Sequence, residues 1–80
     1  MNHSEIQSIL IPAIAQEFEL DESVIVPDAD IYETLDLDSI SLIDLVGLVQ
    51  SQFGLHIDKE DLVQIKTFQN LYDYIADNGL

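Results

Sequence analysis

Eighty residues make one small domain with a thin core, and the absence of cysteine excludes a disulfide framework and any thiolate metal site. Sixteen acids against two bases, Lys59 and Lys66, give a formal net charge of −14. That charge excludes nucleic acid as a partner, since such binding depends on neutralising phosphates with Lys and Arg. The same field attracts basic proteins and speeds their encounter. Ten of the acids lie between Glu17 and Asp44, so that part of the surface is expected to be the most negative. An apolar fraction of 48% argues against disorder. The longest apolar run, ILIPAIA at 9 to 15, is interrupted by Pro12 and is too short to span a bilayer. The start MNHSEIQ lacks the basic and apolar regions of a signal peptide, so a soluble, cytoplasmic protein is expected.

In chain order, SEIQ at 4 to 7 has the form of a capping box, with Ser4 as the cap and Gln7 three residues on. Ile6, Ile9, Leu10, Ala13, Ile14 and Phe18 then recur at helical spacing. A first helix is expected over 4 to 18, kinked or irregular near Pro12, where a lost backbone bond and a clash cost ~3 kcal/mol. Residues 19 to 37 lose the helical period and read as a long ordered loop pinned by Val24, Val26, Ile31 and Leu35. A second long helix is expected over 39 to 53, burying Leu42, Leu45, Val46, Val49 and Phe53, with Gly54 as its C-terminal stop.

Further along, DKED at 58 to 61 starts a short helix that places Leu62, Val63 and Ile65. Thr67 caps a last helix whose core face is Phe68, Leu71, Tyr72 and Ile75, with Asn78 and Gly79 ending it. No segment alternates with a period of two. The expected fold is therefore all-α, a small four-helix bundle with three main helices, one short helix and a long loop between the first two. It forms a single domain over residues 1 to 80.

On the helix over 39 to 53, Ile40, Asp44, Gly47 and Ser51 lie opposite Leu42 and Val46, with Leu48 alongside. A purely solvated face has no need of two aliphatics, so this side reads as a mixed contact surface. Ser39 and Ser41 begin the same helix beside Asp36, Asp38 and Asp44. Both serines suit a helix start. Ser41 with Asp44 makes an S-x-x-D capping pattern, so capping is a sufficient account of Ser41.

The order LDLDSI at 35 to 40, LIDLV at 42 to 46, FGL at 53 to 55 and TFQNLYDYI at 67 to 75 resembles the acyl carrier protein family over nearly the whole chain. The family's usual signature is Leu-Gly-x-Asp-Ser-Leu at the start of its second helix. The resemblance implies that Ser39, between Asp38 and Ile40, carries 4′-phosphopantetheine from coenzyme A through a phosphodiester, and that the arm's thiol holds an acyl group as a thioester. It implies a carrier and not an enzyme. Its partners would be a phosphopantetheinyl transferase and acyl-loading, condensing and acyl-transfer enzymes with basic docking patches. Asp36, Asp38, Ile40, Asp44, Gly47 and Leu48 are the expected contacts. A monomer that does not insert into membranes is expected, with no metal. An acyl chain drawn between the helices would meet Ile43, Val46, Phe53, Leu62, Ile65 and Leu71, gaining ~0.8 kcal/mol per buried methylene.

Two departures from the family pattern bear on the pathway. Asp36 stands where the family usually has Gly, which suggests a differently seated loop. In the second long helix, GLVQSQFG at 47 to 54 is uncharged and only Asp44 is charged after Ser41. Carriers of primary fatty acid synthesis have several acids there. A dedicated polyketide or specialised-lipid pathway is therefore favoured over general fatty acid synthesis, and a D-alanyl or other aminoacyl carrier stays open. Other classes fit less well. No G-x-S-x-G elbow or sequence feature aims His56 at Ser39 for hydrolysis. A calcium loop starting at Asp28 puts Tyr32 and Glu33 where a ligand and Gly belong. An acidic interaction module without a prosthetic group explains the charge but not Ser39.

Overall fold

The computed structural model describes residues 2–78, apart from the side chains of Ser39 and Lys59. Five α-helices appear among them: α1 (His3–Glu17), α2 (Ile31–Leu35), α3 (Ser39–Phe53), α4 (Lys59–Leu62) and α5 (Phe68–Asn78). One turn of 3-10 helix, Glu22–Val24, lies between α1 and α2. No strand occurs among the described residues, in keeping with the all-α expectation. The expected long loop, however, contains an extra helix and a helical turn.

α1 begins one residue earlier than expected because Asn2, not Ser4, caps it. The Asn2 side chain accepts the Glu5 backbone N–H at 2.8 Å. Ile6, Leu10 and Ile14, four residues apart, are all fully buried. Pro12 stays inside the helix, which continues through it. Ser8, whose carbonyl loses its usual donor, and Pro12 are both exposed, so the bond that the proline removes is lost at the surface and not in the core. Glu19 takes a left-handed conformation (φ 55°), and the Leu20 N–H turns back to the Ala15 carbonyl at 2.9 Å. This closing motif usually has Gly.

The segment between α1 and α3 is pinned differently from the expectation. Val24 and Val26 are 43% and 46% exposed, whereas Ile25 between them is buried. The Asp21 carboxylate accepts the Ser23 N–H and turns the chain so that this middle residue faces inward. Ile31 and Leu35 are buried as expected, but as one i,i+4 pair on α2. Three backbone hydrogen bonds tie the segment to the start of α5: Ile31 N–H to Lys66, Phe68 N–H to Ala29 and Gln69 N–H to Pro27.

α3 and α5 keep the expected bounds. Gly54 ends α3 at φ 66°, its N–H bonded to the Gln50 carbonyl. Thr67 Oγ accepts the Asn70 N–H at 3.2 Å, and Asn70 Oδ1 accepts the N–H groups of Lys66 and Thr67 in return. Gly79, expected to end the last helix, lies outside the described residues. The single core joins Ile6, Leu10 and Ile14 of α1 to Leu45 and Val49 of α3, with Phe68, Leu71, Tyr72 and Ile75 of α5 completing it. Leu62 and Ile65 are buried in it, but Val63 is 64% exposed. The stretch after Leu62 turns and leaves one of its three aliphatics outside.

Candidate functional site

The expected functional residues gather where α2 hands over to α3. α2 ends at Asp36, which adopts the left-handed conformation with φ 51° and ψ 52°. This is the backbone state that glycine enters most readily, and Asp is one of the few other residues that tolerate it. The conformation Gly would favour is therefore present despite the substitution, and the expectation of a differently seated loop is not needed. The Leu37 N–H closes the turn on the Tyr32 carbonyl at 3.0 Å.

The cap of α3 is Asp38, not either serine. Its Oδ1 accepts the N–H of Ile40 at 3.0 Å and of Ser41 at 2.7 Å. These bonds hold the carboxyl below its usual range, the Ser41 N–H most strongly, then the Ser41 hydroxyl and the Ile40 N–H. Ser39 is thus the first residue inside the helix. Its side chain lies outside the described residues, but both its neighbours, Asp38 and Ile40, are exposed. Ser41 is half-buried and is itself capped, so its expected role as a capping residue is corrected.

This geometry decides what the helix start can hold. A helix N-terminus ordinarily offers free amides and about half a positive charge to an anion. Here the Asp38 carboxylate already occupies two of those amides and adds negative charge. The site is poorly suited to capturing free phosphate. It fits a phosphate held by a covalent bond at Ser39, which needs a surface position and not a phosphate cradle.

The face running back from this end is apolar and acidic together. Ile40 is 71% exposed and Ile43 is 70% exposed. Asp44 and Gly47 are exposed beside them, and a Cβ at Gly47 would meet nothing within 4 Å. Ile43 therefore does not line an interior space as expected. Leu48 is half-buried against the core, so it belongs less to the open face than the sequence suggested. Both differences were available from the helical wheel. At 100° per residue Ile43 falls only ~60° from Ile40, and Leu48 falls about midway between Ile40 and the buried Val49. The remaining interior candidates do face inward. Leu62, Ile65 and Leu71 are buried, and Val46 and Phe53 are partly buried against the same cluster.

No acid–base apparatus approaches Ser39 from His56. His56 follows the far end of α3, roughly 21 Å from Ser39 along a helix of fifteen residues, and its Nε2 lies 3.8 Å from Asp58 Oδ1 at the surface. Among the described residues no group of three or more His, Asp or Glu side chains is placed to hold a metal ion, and no helix is long and apolar enough to cross a membrane.

Comparison with known proteins bears on the same stretch. A family profile for the phosphopantetheine attachment site matches residues 8–75. The acyl carrier protein of Syntrophobacter fumaroxidans is 30% identical over 78 residues, covering 98% of this chain and 96% of its own. That of Thermotoga maritima is 34% identical over 74 residues, covering 92% and 91%. A solved structure of the acyl carrier protein from Enterococcus faecalis superposes with a TM-score of 0.78 at 28% identity, covering 98% of this chain and 99% of that one. Members of this family are carriers, not catalysts, and bear a covalently attached 4′-phosphopantetheine. A phosphopantetheinyl transferase and biosynthetic enzymes are the partners that membership brings. With its helical fold and Asp38-capped Ser39, the chain belongs to the acyl carrier protein family.

Proposed function

We propose that Ser39 is the attachment point of the 4′-phosphopantetheine arm. The observation that carries this reading is the position of Ser39: first residue of a fifteen-residue helix, directly after the Asp38 cap, between two exposed neighbours. When bound, the group supplies a terminal thiol on which an acyl chain is held as a thioester. The chain's own residues then do three things. Asp38 fixes the start of α3 and so the place of Ser39 in the backbone, as the first residue of the helix. Ile40 and Ile43, bordered by Asp36, Asp38, Asp44 and Gly47, form the docking face for enzymes with basic patches. Val46, Phe53, Leu62, Ile65 and Leu71 bound the space into which the acyl chain withdraws.

The pathway we favour is a dedicated one, making a polyketide or a specialised lipid, with the protein acting as a cytoplasmic monomer of one domain. Its support is the distribution of charge on α3, where Asp44 is the only acid after Ser41 and Gln50, Ser51 and Gln52 follow. Recognition then rests on the acids before the helix and on the two isoleucines, not on a string of carboxylates along it.

Intact mass spectrometry after incubation with coenzyme A and a broad-specificity phosphopantetheinyl transferase tests the attachment. One added arm is expected in the wild type and in Ser41→Ala, and none in Ser39→Ala. An unmodified wild type, or an arm retained in Ser39→Ala, would sink the assignment.

A further inference from the structure

The three tyrosines differ in the fate of their hydroxyls. Tyr32 donates to the Leu62 carbonyl at 3.2 Å, and Tyr74 donates to Asp61 Oδ2 at 3.0 Å. Both reach the short α4 segment from partly buried positions. Tyr72, on the inner face of α5, is 0% exposed, and its hydroxyl has no hydrogen-bond partner among the described residues. Burial pushes the phenol above its ordinary range, so it keeps its proton at neutral pH and can both donate and accept. Phenylalanine would fill nearly the same volume without stranding a polar group. As packing alone, the hydroxyl is a net cost.

Tyr72 belongs to the same buried cluster as Leu62, Ile65 and Leu71, against which Val46 and Phe53 pack. These are the residues placed around a withdrawn acyl chain. We infer that the Tyr72 hydroxyl recognises cargo, hydrogen-bonding an oxygen on an acyl chain drawn into the core. The favoured cargo is then an acyl chain bearing a keto or hydroxyl group, not a fully reduced one. This rests on the carrier reading at Ser39 and names its substrate class. A saturated chain entering the core leaves the hydroxyl unpaired, whereas a keto or hydroxy chain satisfies it and is itself satisfied. A buried polar group that one ligand pairs and another abandons discriminates far more strongly than an apolar wall.

The test compares wild type with Tyr72→Phe, each loaded with acyl-pantetheine arms carrying octanoyl, β-keto-octanoyl, β-hydroxy-octanoyl or δ-keto-octanoyl chains. Intact mass confirms loading before any melting curve is recorded. A wild type that takes no arm removes the carrier reading and this inference with it. If loading succeeds, at least one oxygenated chain should raise the wild-type Tm above that of the octanoyl form by roughly 4–8 °C, the shift that one hydrogen bond produces in a domain this small. In Tyr72→Phe that difference should vanish, while the unloaded variant melts at or above wild type. Equal Tm values for all four chains in wild type, or a difference that survives in Tyr72→Phe, would overturn the inference while leaving the attachment at Ser39 intact. A permanently bound internal water satisfying Tyr72 would give the first of those results.

Discussion

Two sets of helical apolar side chains in this chain look alike in sequence and behave oppositely. On α1 and α5, Ile6, Leu10, Ile14, Phe68, Leu71, Tyr72 and Ile75 are 0–1% exposed. On the first turns of α3, Ile40 and Ile43 are 71% and 70% exposed. The first set removes apolar surface from water at about 25 cal/mol per Å² and holds the bundle together. The second leaves that gain unrealised within the chain, next to an acid-capped helix start, where a partner enzyme can take it up. Stability and, on the proposed docking reading, recognition thus come from the same residue types, separated by which way the helix turns them.

The contrast breaks most visibly if a member of the first set is cut. Leu71→Ala should cost about 2–5 kcal/mol, against a total of roughly 4–12 kcal/mol for a domain of this length. Thermal melting should show a large drop, with partial unfolding at 37 °C. A loss under ~1 kcal/mol would mean that α5 is not part of the core. The double change Ile40→Ser with Ile43→Ser should leave stability within about 0.5 kcal/mol. It should weaken binding to a phosphopantetheinyl transferase about tenfold, or ~1.4 kcal/mol, as for anchors of a small interface. A large loss of Tm with unchanged affinity would place these residues in the wrong set.

The helix start that separates the two sets is sensitive to acid. The carboxyl of Asp38 is lowered in the folded state, chiefly by the Ser41 N–H. Its contribution is therefore complete above the unfolded carboxyl's pKa of about 4 and is lost as pH falls through the lower folded value. Asp38→Ala should lower Tm at neutral pH, and the gap to wild type should shrink in acid. A gap that is constant down to about pH 2 would mean that the negative charge is not what caps α3. Just upstream, Asp36 holds φ 51°. Asp36→Gly should raise stability by up to ~1 kcal/mol, since the Cβ penalty outweighs the added freedom of the unfolded chain. A fall in Tm would show that the aspartate side chain stabilises that turn.

The sequence was informative where one signal stood alone. Gly54 was the single candidate to stop α3, and Thr67 alone marked the start of α5. It misled where several residues could do the same job. Asn2 and Ser4 both suit a helix start, as do Asp38, Ser39 and Ser41, and in each case the cap is the earliest of them. A carboxylate one residue ahead of the serine reaches two amides at once, those of Ile40 and Ser41. α2 escaped notice because five residues offer only one i,i+4 pair, Ile31 and Leu35, too little to show a period. The two valines flanking Ile25 concealed which of three consecutive apolar residues points inward. Ile43 was misplaced because any aliphatic on an amphipathic helix invites an interior role, although its angle to Ile40 argued otherwise.

The smallest effect expected concerns the rim of the buried layer. His3 Nε2 lies 2.6 Å from Asp73 Oδ1, joining the start of α1 to the middle of α5, with the two side chains 43% and 51% exposed. Asp73 also accepts from Gln69 on its own helix at 3.1 Å. Exposed pairs of this kind contribute about 0.2–1 kcal/mol. The sum of burial beneath them, Ile6 and Leu10 against Leu71 and Ile75, is much larger. A double-mutant cycle with His3→Ala and Asp73→Asn should therefore return a coupling below ~1 kcal/mol at neutral pH. Any charge–charge part of it should weaken in 1 M salt, where screening acts over about 3 Å. A coupling of 2 kcal/mol or more would mean that α1 and α5 are held by their surface tie as well as by their core. The division between a stabilising interior and a recognising surface would then fail on the very face where it looks cleanest.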